Sequence, residues 1–196
     1  GYGPDYDAFI SNYQAQTSGT YQLVVSKNYY YGAYRGAYEL HVERARGIQQ
    51  ESDPNYSNDS TGGANPLTLA VTGTHRTATV SGTIMVAENS NTDEDFYNLG
   101  LFNAGNFVEL NTRLPGDSSL APKVTLLDAA GKILSDEDGN ASDGHVKVTL
   151  GTDGVIYAKV EANSGAGSRG QYLLDVDISD PVPPRVTGVT GLPAAA

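Results

Sequence analysis

Short runs of alternating apolar and polar residues, separated by glycine- and aspartate-rich turns, fill most of this chain. The clearest sets Tyr172, Leu174, Val176 and Ile178 against Gln171, Leu173, Asp175 and Asp177. Successive side chains of a strand point to opposite faces, so such a pattern predicts a half-buried strand. The same period sets Ala78, Val80, Gly82 and Ile84 against Thr77, Thr79, Ser81 and Thr83. It sets Tyr97, Leu99 and Leu101 against Asn98 and Gly100. Further inward rows are Leu67, Leu69 and Val71; Val108 and Leu110; Val124 and Leu126; Val146, Val148 and Leu150; and Ile156, Ala158 and Val160. Residues 67–179 therefore predict about eight short strands at near-even spacing, the signature of an all-β, antiparallel, jelly-roll-like β-sandwich. No stretch carries the period of an amphipathic helix.

Three further strands are predicted upstream. Phe9 and Ile10 mark the first, Tyr21, Leu23 and Val25 the second, and Tyr38, Leu40 and Val42 the third. Their frame repeats: the Arg-Gly-x-Tyr-x-Leu-x-Val of residues 35–42 recurs at 169–176, with Tyr21 corresponding to Tyr157 and Asp7 to Asp143. The small change of offset falls in a loop, where length varies cheaply. The expected organisation is thus one complete sandwich at 67–179, preceded at 1–46 by the last three strands of a second copy. Residues 47–66 form an acidic connector, and a proline-rich exit follows at 180–196. Three strands alone leave half a core and open edges, so either the upstream strands exist on another piece or this segment docks on a neighbour.

The formal net charge of −11 over 196 residues argues against nucleic acid, which needs a basic footprint. An absence of cysteine excludes disulfides, thiolate metal sites and cysteine nucleophiles. No run reaches the roughly 20 apolar residues of a membrane helix, so no membrane insertion is expected. Residue 1 is glycine and no signal-peptide pattern follows, which suggests a piece excised from something longer.

Charge clusters narrow the chemistry. Asp93, Glu94 and Asp95 stand together at the mouth of a strand, and such a group repels itself unless solvated or joined by a cation. Carboxylate and carbonyl oxygens are what Ca²⁺ selects. The connector is also dense in oxygen-bearing side chains. Asp136, Asp138 and Asn140 have calcium-loop spacing, but Ala141 and Lys147 occupy the places an EF-hand gives to Gly and Glu, so an ordinary turn is expected. His41, His75 and His145 form no zinc-ligand pattern, and no Gly-x-Ser-x-Gly elbow exists. Nothing points to an enzyme. Tyr29, Tyr30, Tyr31 and Tyr34 cluster in a loop whose counterpart, 163–167, has no tyrosine; the alternatives are local packing and a recognition surface.

The order of these pieces resembles the bacterial prepeptidase C-terminal domain family. The matching residues are Ser81-Gly82-Thr83-Ile84, Asp93-x-Asp95-x-Tyr97, Ala104-Gly105 with Val108-x-Leu110, Leu126-x-Asp128-x-x-Gly131, and Gly170-x-Tyr172-x-Leu174-x-Val176. The layout is also similar to the collagen-binding domains of bacterial collagenases. That resemblance implies a calcium ion held between connector and strand mouth, by Glu51, Asp53, Asn55 and Asp59 together with Asp93, Asp95 and the Phe96 carbonyl. Asn58 could replace one connector ligand. It implies a non-enzymatic, calcium-stabilised spacer or adhesion module of a large secreted or cell-surface bacterial protein. Its partners would be extracellular matrix, polysaccharide or neighbouring domains of the same protein. The alternatives are an accessory substrate-binding or export domain of a secreted protease, and a filament subunit that self-associates through the strands of residues 1–46.

Overall fold

The computed structural model describes residues 13–26, 37–40, 42, 44, 46–54, 56–84, 93–116, 118–140, 142–163 and 169–181. Among them are ten strands and no helix. Two belong to the connector, β1 (Gln49–Gln50) and β2 (Asn65–Pro66). The others are β3 (Ala70–Thr72), β4 (His75–Ile84), β5 (Glu94–Phe102), β6 (Phe107–Arg113), β7 (Pro122–Asp128), β8 (His145–Thr149), β9 (Gly154–Ala162) and β10 (Gly170–Ser179). They form two sheets, one six-stranded in the order β1-β4-β10-β6-β8 with β3 also beside β4, the other four-stranded in the order β2-β5-β9-β7. The expected all-β sandwich is present.

The alternating rows supply the core. Val80, Val108, Leu110, Tyr172, Leu174 and Val176 from one sheet meet Tyr97, Val124, Leu126, Ala158 and Val160 from the other, each essentially inaccessible to solvent. Strand β10 lies centrally, paired antiparallel with β4 and with β6. Among the described residues, no helix is long and apolar enough to cross a membrane.

Two inward rows depart from their predicted phase. Val71, expected inward with Leu67 and Leu69, is 69% exposed on the three-residue β3, which pairs with β4 alone at the margin of the sheet. Strict alternation puts Leu101 inward, yet it is 68% exposed while Phe102 is buried. The ladder with β9 steps from Asn98↔Tyr157 to Gly100↔Ile156, so β5 holds one extra residue there. Gly100 takes the positive φ (104°) of that bulge, and every later side chain changes face. Glycine inside a strand pattern is the signal for such a step.

Compositionally a linker, the connector pairs with both sheets. β1 runs parallel to β4 through Gln49↔Val80 and Gln50↔Ser81, and β2 runs parallel to β5 through Asn65↔Tyr97 and Pro66↔Asn98. Between them the loop folds on itself: Ser52 N–H donates to Asn65 Oδ1 (2.5 Å), and Asn65 Nδ2 returns a bond to the Ser52 carbonyl (3.0 Å). Gly63 permits this turn, since a Cβ there would lie 1.8 Å from the Ser57 carbonyl oxygen.

Before Gly47 the described residues enter no ladder. Tyr38, Leu40 and Val42 are 71%, 50% and 67% exposed, whereas their repeat partners Tyr172, Leu174 and Val176 are buried. The tyrosines at 29–31 and 34 lie outside the described residues, as does most of the exit segment.

Candidate cation site

Strand β5 begins beside the connector, and its alternation decides which acids go inside. Asp93 and Asp95 share the inward phase of Tyr97 and Leu99 and are buried, whereas Glu94 points outward. The connector loop closes over this end, with Phe96 N–H donating to the Asn58 carbonyl (3.0 Å). The Glu51 backbone N–H donates to the Ser81 carbonyl (3.0 Å), and the Glu51 Oε2 accepts from Thr83 N–H (2.7 Å). Two acidic segments far apart in sequence therefore meet at one end of the sandwich.

Asp53, Asp59 and Asp93 each offer a carboxylate oxygen, and these lie within 4.8 Å of one another. This cluster has the geometry to hold a metal ion. At that spacing two unit charges repel by about 3.5 kcal/mol at an effective dielectric of about 20, so three ionised groups cost about 10 kcal/mol. That is on the order of a whole domain's stability, about 5–15 kcal/mol. Solvent around the half-buried Asp53 and Asp59 screens part of it, and a cation would offset the rest.

Asn58 sits at the centre of the arrangement with no exposed surface. Its backbone N–H donates to Asp53 Oδ1 (3.3 Å), and its Nδ2 donates to Asp95 Oδ1 (3.0 Å). Its side-chain carbonyl oxygen is buried and meets no hydrogen-bond donor. A buried acceptor left unmade costs about 1–3 kcal/mol, a cost that coordination to a cation would remove.

Electrostatics separate these acids from those elsewhere. Burial pushes the Glu51 carboxyl up to about 8, with the neighbouring charges of Asp93 and Asp53 adding to it. Burial likewise raises Asp95, reinforced by Glu51 and Asp93, and raises Asp53, reinforced by Asp59. On the outer faces the direction reverses. His145 and Lys147 hold Glu109 low, Arg113 holds Asp175 low, and Lys123 with Lys159 outweigh the burial of Glu161.

Deeper in, Asp95 Oδ2 accepts the hydroxyl proton of Tyr172 (2.5 Å), and the Tyr172 and Tyr97 hydroxyls are 2.6 Å apart. Gly82 makes room for this contact. A Cβ at that position would lie 2.2 Å from the Tyr172 hydroxyl oxygen and 2.6 Å from Glu51 Oε2.

The structure thus gathers Glu51, Asp53, Asp59, Asp93 and Asp95, with the Phe96 backbone meeting the connector through its N–H. Asn55 lies outside the described residues. Asn58, foreseen as a substitute ligand, is central. Tyr97, Tyr172 and Gly82 were legible as an inward row but not as parts of a site. The acids of the 136–140 loop accept from backbone N–H groups of β8 and of the loop itself: Asp136 Oδ1 from Lys147 N–H (3.0 Å) and Asp138 Oδ1 from Asn140 N–H (2.7 Å). His75 pairs with Asp177 (2.8 Å) and His145 with Glu109 (3.2 Å) on the outer face.

No family model matches the chain, and no curated protein does. Among solved structures, the chain is similar to the crystal structure of PliG from Aeromonas hydrophila, a periplasmic lysozyme inhibitor of g-type lysozyme. The two share 14% identity with a TM-score of 0.38, over 67% of this chain and 96% of that one. A likeness at this level carries no argument about function.

Two outcomes follow from the geometry. Gly82→Ala should destabilise the fold by about 1–3 kcal/mol, because its methyl group displaces a fully buried tyrosine; urea denaturation would measure this. An unchanged midpoint would contradict the close approach. The second concerns pH. Unfolded Glu51 loses its proton near 4.5 but folded Glu51 keeps it to about 8, so within that window the folded state binds more protons. Stability in chelator is therefore fully present below the lower value and falls as pH rises through the window. The acids with lowered values act only below it. Melting temperature in chelator should decline from about pH 5 to about pH 8, and a steady rise would be inconsistent with buried Glu51 and Asp95.

Proposed function

We propose that this chain is a non-enzymatic, calcium-stabilised β-sandwich that serves as a spacer or adhesion module of a secreted or cell-surface protein. The observation that carries the reading is the convergence of Asp53, Asp59 and Asp93, together with the donorless, fully buried side-chain oxygen of Asn58, a residue whose backbone N–H bonds Asp53. A hard divalent cation taking 6–8 oxygens suits such a set. Glu51 and Asp95 supply further carboxylates, and Asn55 and the Phe96 carbonyl complete the set that the family resemblance implies. Calcium here would fasten the connector to the strand mouth and fix the direction in which residues 1–46 leave the sandwich. Calorimetric titration of the full chain with Ca²⁺ is expected to give saturable heat. Melting temperature should rise with the ion, corresponding to about 2.7 kcal/mol when free calcium is a hundredfold above Kd. Asp93→Asn should remove most of both effects. No heat, with a melting temperature indifferent to chelator, would end this reading.

A second reading concerns association. Tyr38, Leu40 and Val42 are coded for a buried row yet stand exposed, which supports strand pairing with another chain. Exchange into the slot of β10 is disfavoured, because Arg44 would replace Ile178, which is only 1% exposed. Pairing between the upstream segments of two chains avoids that cost. Light scattering should then show mass rising with concentration, and Leu40→Asp should suppress the rise. A monomer at every concentration would dismiss it.

A further inference from the structure

We infer that Tyr172, backed by Tyr97, acts as a positioning residue that sets how tightly the cation site binds, although neither ring belongs to the ligand set. The inference rests on the calcium reading above and adds residues to it. Asp95 is fully buried, and both of its oxygens have donors, Asn58 Nδ2 at 3.0 Å and the Tyr172 hydroxyl at 2.5 Å. Tyr172 has one hydroxyl proton and spends it on Asp95. The 2.6 Å contact between the two phenols is therefore made by the Tyr97 proton, directed at the Tyr172 oxygen. The result is a chain of two O–H donors ending on a carboxylate, in a buried interior where successive hydrogen bonds strengthen one another.

The chain crosses the sandwich. Tyr97 comes from β5 in the four-stranded sheet, and Tyr172 from β10 in the six-stranded sheet. Both rings have no exposed surface, so neither hydroxyl can turn to water. Asp95 is thereby held in one orientation, and through its other oxygen it orients the Asn58 amide. With its Nδ2 on Asp95 and its backbone N–H on Asp53, the Asn58 side chain has little freedom left to lose when its free oxygen meets a cation. Outer hydrogen bonds of this kind generally change metal affinity by about 10–100-fold. Gly82 is what admits the Tyr172 hydroxyl and Glu51 Oε2 to the same small space.

The test is calcium titration of the full chain as wild type, Tyr172→Phe, Tyr97→Phe and, as a control on the outer face, Tyr157→Phe. Replacement by Phe keeps the ring and removes only the hydroxyl. Tyr172→Phe should weaken calcium binding by about tenfold or more, Tyr97→Phe by less because it acts one bond further away, and Tyr157→Phe not at all. A purely structural role would lower melting temperature equally with and without calcium and leave affinity alone. The proposed role shrinks the calcium-induced rise itself. It also removes the calcium-induced change in near-ultraviolet tyrosine dichroism that wild type should show. Equal calcium affinity in wild type and Tyr172→Phe would overturn the inference while leaving the calcium reading intact. Failure of the wild type to bind calcium would overturn both.

Discussion

Repulsion among acids brought together at a part-buried end of the sandwich is the constraint on which this molecule turns. Asp93 and Asp95 are carried inward by strand phase, and Glu51, Asp53 and Asp59 are brought to them by a connector that pairs with both sheets. Elsewhere the chain follows the ordinary rule, setting Glu109, Asp175 and Glu161 against His, Lys or Arg on the outer faces of the sheets. At this end the charges felt by Glu51 and Asp95 are those of other carboxylates. The fold therefore keeps something there that a sandwich core does not require for its own sake, and the natural compensation for clustered hard oxygens is a cation.

That constraint explains details that packing alone leaves arbitrary. Gly82 occupies an inward position where a larger apolar residue would bury more surface, because Tyr172 and Glu51 need the space. Tyr97 and Tyr172 are tyrosines rather than phenylalanines, and a buried hydroxyl is tolerated only when partnered. Here the partners are each other and Asp95. Gly63 allows the loop to turn back on Ser57, which brings Asn58 and Asp59 against the strand. These departures from a simple apolar core lie within one network.

Much of this was written in the alternation. The rows of β4, β6, β7, β8, β9 and β10 appear in the structure at their expected phase, because a period of two leaves a buried face little freedom. Leu101 failed because one extra residue inverts a strand, and only Gly100 hinted at it. The acids at 93 and 95 were visible as a cluster at a strand mouth, and the structure shows them in the inward phase of Tyr97. The connector was harder. Its composition reads as linker, and two-residue parallel pairings such as Gln49 with Val80 carry no periodic signal. The tyrosine pair was hidden for a different reason. Tyr97 and Tyr172 stand 75 residues apart, and nothing local says that their hydroxyls meet.

The parallel pairing of β1 with β4 has a mechanical consequence. Tension applied upstream of Gly47 pulls along β1 and loads its ladder with β4 together with the side chain of Glu51, seated beside Thr83. The load is delivered to the interior of the domain, so the strength of the joint under traction is that of its most acidic corner rather than of any surface hairpin.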